Sequence, residues 1–91
     1  WSDGTSALIL LDLDAHPEPS PRTLQCLFGL TAAETQLAIE LARGHNLLDI
    51  AHSRRLSRTT IRSQLGALFV KTQTRRQADL VALLGRVAIL P

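Results

Sequence analysis

Between Arg54 and Arg76 the sequence places seven cations (Arg54, Arg55, Arg58, Arg62, Lys71, Arg75 and Arg76) and no acid. Such a run attracts polyanions and can displace condensed counterions from a phosphate backbone. By charge alone, a solvated basic face with no partner reads the same way. Inside the run, Ser57-Arg58-Thr59-Thr60 adds hydroxyls at what reads as a helix start, where free amides suit phosphate oxygens. The remaining reactive residue types are sparse. His16, His45 and His52 have no Cys or carboxylate at metal-ligand spacing, and two histidines seven apart do not make a structural zinc site. There is no glycine-rich phosphate loop and no Ser/His/Asp arrangement. The expectation is a non-enzyme with no metal and no cofactor.

Cys26 is the single cysteine, which precludes an intramolecular disulfide and suits a reducing cytoplasm. Its apolar surroundings predict a buried packing role. The net charge of +2 conceals an asymmetry. Residues 1–40 hold six acids and one base, whereas residues 41–91 hold nine bases and two acids. Only three aromatic residues, Trp1, Phe28 and Phe69, are present, so the core must come from Leu, Ile, Val and Ala. That composition favours packed helices over a sheet sandwich. Ninety-one residues suffice for one modest core.

The elements that must position the basic run follow from spacing and caps. Ala7–Leu11 reads as a buried strand without a partner strand, and His16–Pro21 as a stiff, proline-rich linker. Residues 1–21 are therefore read as the remnant of an upstream, sensor-like domain, and 22–91 as a helical domain. The apolar run is far too short to cross a bilayer, and no membrane or small-molecule partner is expected of this fragment. Five helix starts follow. Ser20 caps a short helix stopped by Gly29. Thr31 and Glu34 form a capping box before Leu37, Ala38, Leu41 and Ala42. Asn46 caps a short helix with Ile50 and Ala51 facing inward. Ser57 caps a helix to Lys71 whose apolar stripe is Ile61, Leu65, Leu68 and Phe69. Thr74-Arg75-Arg76-Gln77 reads as another capping box, before Leu80, Val81, Leu84, Val87 and Ala88.

A short helix, a tight break around Arg54–Leu56 and a second amphipathic helix is the layout of a helix-turn-helix, whose second helix enters the DNA major groove. Opposite its stripe lie Arg58, Thr59, Arg62, Ser63 and Gly66, small residues that allow close approach and arginines that can donate two hydrogen bonds to guanine. In order and spacing, Leu30-Thr31-Ala-Ala-Glu34, Ala42-Arg-Gly44, Asp49-Ile50-Ala51, Ser57-x-x-Thr60-Ile61-Arg62 and Lys71 resemble the LuxR-type helix-turn-helix family, over roughly residues 30–84. The resemblance implies a compact four-helix domain that binds double-stranded operator DNA in the bacterial cytoplasm and regulates transcription. It implies pairing into a homodimer, partly through the last helix. It makes Thr60 a backbone contact and Arg62 a base or phosphate contact, and it matches Ser63, Gly66 and Lys71 to groove-side or basic positions. The charge of Lys71 would equally favour the negative end of its own helix.

Four positions depart from the family's pattern. Gln64 replaces a frequent His. Gly66 replaces a larger polar residue and costs the helix about 1 kcal/mol relative to Ala. Arg54 stands where an apolar residue usually packs, and Arg55 where the turn usually has Gly. These two predict a remodelled turn with both arginines swung outward towards phosphate. The candidate DNA-binding residues are thus Arg54, Arg55, Ser57, Arg58, Thr59, Thr60, Arg62, Ser63, Gly66 and Lys71. The last helix carries more apolar surface than one core stripe requires, which nominates Leu80, Leu83, Leu84 and Val87 for dimerisation. The competing reading is a protein-interaction module that keeps the fold and dimerises, with weak or no DNA binding.

Overall fold

A computed structural model describes residues 18–90. The expected strand at Ala7–Leu11 and the first part of the proline linker lie outside these residues. The described chain is all-helical: α1 Pro21–Phe28, α2 Ala32–Ala42, α3 Leu47–Ser53, α4 Arg58–Thr72 and α5 Gln77–Ala88. No strand occurs among the described residues.

Local chemistry accounts for most boundaries. The Ser20 hydroxyl accepts from the Thr23 amide at 3.1 Å, and Pro21 takes the first helical position, where its missing N–H costs nothing. Gly29 (φ 67°) and Gly44 (φ 92°) end α1 and α2 in the left-handed region that a Cβ disfavours. The capping box of α2 is complete, with Glu34 N donating to Thr31 Oγ1 at 3.2 Å and Thr31 N to Glu34 Oε1 at 2.9 Å. Asn46 accepts from Asp49 N at 2.8 Å to open α3.

The capping box expected at Thr74–Gln77 does not form. α5 begins at Gln77 behind Arg76, which makes no side-chain cap. The cause lies in the preceding helix. α4 ends with Gln73 at φ 57°, and the Thr74 amide donates to the Phe69 carbonyl at 3.0 Å. Together with Gln73 N to Val70 O at 3.3 Å, this closes a Schellman motif, so Thr74 belongs to the end of α4.

α2 is the central element and touches the other four helices. Leu24, Leu37, Leu41, Ile50, Leu68, Leu80 and Leu84 are fully buried around it. Removing each leucine side chain from water contributes about 1.5–3 kcal/mol, which is why an aromatic-poor chain can hold this core. α1 buries Leu24 alone. Cys26, two residues further on, therefore points away from α2 and is exposed, contrary to the packing role its neighbours suggested. The linker's end is also held in place. Pro19 is buried, and Arg43 Nε donates to Glu18 Oε2 at 2.7 Å.

Candidate nucleic-acid interface

α3 and α4 are joined by Arg54, Arg55, Leu56 and the capping residue Ser57. Arg55 N donates to His52 O at 3.1 Å and Leu56 N to Ala51 O at 2.8 Å, a second Schellman closure. The left-handed residue it requires is Arg55, at φ 56°. The turn keeps the geometry that glycine adopts most easily and carries a long cation in its place. Half-buried Leu56 packs against the core and completes the motif's hydrophobic contact.

The two arginines part company here. Arg55 is exposed. Arg54 is not swung outward: its Nη2 lies 2.8 Å from Glu40 Oε2, with both side chains about one-fifth exposed. No hydrogen bond aligns on that oxygen among the described residues, so this contact is a charge pair. Arg54 folds back because α2 offers it an acid beside the turn. Lys71 is likewise engaged, with its ammonium donating to Glu34 Oε1 at 2.6 Å and to the Gly29 carbonyl at 3.3 Å. The lysine, together with the Thr31 amide, holds the Glu34 carboxyl below its ordinary pKa.

The faces of α4 are sharply sorted. Ile61, Leu65, Leu68 and Thr72 are buried. Arg58, Thr59, Thr60, Arg62, Ser63 and Gly66 are exposed, and none of the residues Arg58–Thr72 is acidic. Phe69, expected in the apolar stripe, is only half-buried against the core. Ser57 caps the start, accepting from Thr60 N at 3.0 Å and donating to Thr60 Oγ1 at 2.9 Å. The amides of Arg58 and Thr59 lie in the first turn, where no carbonyl four residues back is available to them. The exposed start of α4 therefore combines amide donors, hydroxyls and two guanidinium groups. A Cβ built at Gly66 meets nothing within 4 Å, so the exposed face of α4 has an open position at its middle.

The residues nominated for dimerisation divide. Leu80, Leu84 and Val87 are buried in the core of the single chain, which leaves them no surface for a partner copy. Leu83 is half-buried, while Ile89 and Leu90 at the end of α5 are exposed. Val81 and Leu83 are both half-buried against the core, so the exposed apolar residues here are Ile89 and Leu90, which follow α5.

Two features escaped the sequence reading. The Arg54–Glu40 pair links residues on different helices, and no spacing rule reveals it. Leu48 is 61% exposed beside the start of α4. The adjacent pair Leu47-Leu48 carried a signal for it, because neighbouring helical positions are about 100° apart and cannot both face one core stripe.

Among the described residues, no group of three His, Cys, Asp or Glu side chains comes together to hold a metal ion, and no helix is long and apolar enough to cross a membrane. No protein-family model, curated protein or solved structure matches the chain significantly.

Proposed function

We propose that this chain binds double-stranded DNA in a sequence-dependent way, as the DNA-binding part of a transcription regulator of the LuxR type. In this reading α3, the Arg54–Leu56 turn and α4 form a helix-turn-helix, and α4 lies in the major groove. The observation that carries it is the sorting of α4: an apolar side buried in the fold, and an exposed side of Arg58, Thr59, Arg62, Ser63 and Gly66 without an acid. Arg62 and Arg58 are the base readers, while Ser57, Thr60 and Arg55 contact phosphate. Arg54 and Lys71 support the face from behind through Glu40 and Glu34.

Binding as a pair of copies extends the contact area over two half-sites. The surface for that pairing is Leu83 with Ile89 and Leu90, and a chain that sediments as a monomer at high concentration removes it. The same exposed Ile89 and Leu90 favour the competing reading, an interaction module that pairs without binding DNA.

One experiment separates the two. Selection from a random duplex pool should yield a recurrent sequence, bound with an affinity that falls steeply with salt. An interaction module yields no enriched sequence and no salt-dependent binding.

A further inference from the structure

Adjacent leucines open α3, and only one is taken into the fold. Leu47 packs against the core, whereas Leu48 is 61% exposed. Leu48 does not stand alone in solvent. With Leu47, Arg58, Ile61 and Arg62 it lines a cleft of about 250 Å³ between the start of α3 and the first turns of α4. The cleft therefore combines three apolar side chains with two guanidinium groups one helical turn apart. The ion pairs formed among the described residues involve Arg43, Arg54 and Lys71, and leave Arg58 and Arg62 without an acid. An occupant that satisfies all five residues must present a small apolar group flanked by hydrogen-bond acceptors. The major-groove edge of thymine carries a C5 methyl beside its O4 acceptor, and a neighbouring guanine offers N7 and O6 to an arginine.

Resting on the DNA-binding reading above, we infer that Leu48 is a specificity-determining residue that seats the 5-methyl group of a thymine next to the base pair engaged by Arg58 or Arg62. The selectivity comes from removing one methyl group from water against an apolar wall. The arginines supply the neighbouring polar contacts and set which base lies beside it. An acidic, apolar peptide segment is the other occupant of matching chemistry, and the test distinguishes it.

The probe is a duplex selected by the chain from a random pool, with each thymine replaced in turn by deoxyuracil, which deletes the methyl group and nothing else. At one thymine per half-site the replacement should weaken binding about fourfold, the value of one methyl group removed from water. The Leu48→Ala variant should bind the thymine and uracil duplexes equally, and Leu48→Met should retain the difference. Leu27→Ala, which trims a comparably exposed leucine on α1, should also retain it. Equal methyl sensitivity in the parent chain and in Leu48→Ala overturns the inference. Selected DNA that is indifferent to every uracil replacement overturns it too, and leaves the cleft to a peptide. If no sequence is selected at all, the DNA-binding reading itself falls, so the two failures are told apart.

Discussion

Lys71 Nζ sits 2.6 Å from Glu34 Oε1 and 3.3 Å from the Gly29 carbonyl oxygen, tying the end of α4 to the junction of α1 and α2. Glu34 therefore serves two ends at once, since the same Oε1 accepts the Thr31 amide in the capping box. The lysine also lies in the last turn of α4, where a cation favours the negative end of the helix. A residue grouped by pattern with the candidate DNA contacts is thus tied into the fold, at the end of the helix that carries them.

Lys71→Ala should accordingly lower stability by about 1–2 kcal/mol, because it leaves a buried carboxylate without its charged donor. Urea denaturation measures the loss. The slope of log affinity against log salt on DNA should change little, whereas a phosphate contact would lower that slope by about one.

The pH dependence follows from the direction of the Glu34 shift. Its carboxyl is held below its ordinary value of 4.5, first by Lys71 and then by the Thr31 amide. The folded state therefore binds this proton less readily than the unfolded chain does. The stabilisation is fully present above pH 4.5 and is lost as pH falls through the lowered folded value. Denaturation midpoints measured from pH 7 down to pH 3 should show this decline, and Glu34→Gln should flatten it.

Arg55→Gly tests the turn. Arg55 holds φ 56°, a conformation that costs a side-chain-bearing residue about 1 kcal/mol relative to glycine. The substitution should raise stability by about that amount and reduce the DNA salt slope by about one. A loss of stability would mean that the arginine side chain makes a compensating contact in the turn.

Gly66 offers the complementary case. It lies inside α4 with nothing within 4 Å of a built Cβ. Gly66→Ala should stabilise the fold by about 1 kcal/mol through helix propensity alone. If the exposed side of α4 meets DNA, Gly66→Arg should strengthen binding to random DNA and steepen its salt slope by about one, as a cation added there requires.

Arg62→Ala separates reading from positioning. Loss of a bidentate base contact costs about 1–3 kcal/mol on the selected sequence and relaxes discrimination at one base pair. Uniform weakening on selected and random duplexes alike would instead make Arg62 a phosphate contact.

Much of the helical framework was legible because its signals are local. Ser20, Thr31, Asn46 and Ser57 each accept an amide three residues on, and the stripe Ile61, Leu65, Leu68 is buried as its spacing required. Failures arose where two local signals competed or where a choice of face was needed. Thr74 satisfies the pattern of a helix start, yet its amide closes the end of α4 at 3.0 Å. Cys26 lies among apolar neighbours on a helix that buries a single residue.

The sequence by itself determined the helical character of residues 18–90, the order and ends of most of their helices, and the concentration of cations on the segment from Arg54 to Arg76. Tertiary structure alone decided which of those cations remain outward. Arg54 and Lys71 are drawn inward because α2 brings Glu40 and Glu34 within 2.8 and 2.6 Å of them, across separations in sequence that no local rule spans. Arg55, Arg58 and Arg62 stay exposed because no described acid approaches them. By the same packing, Leu80, Leu84 and Val87 are taken into the core while Leu48 is left beside the arginines. An amphipathic pattern says that a helix has two faces, but only the assembled core settles which residues at their border are buried.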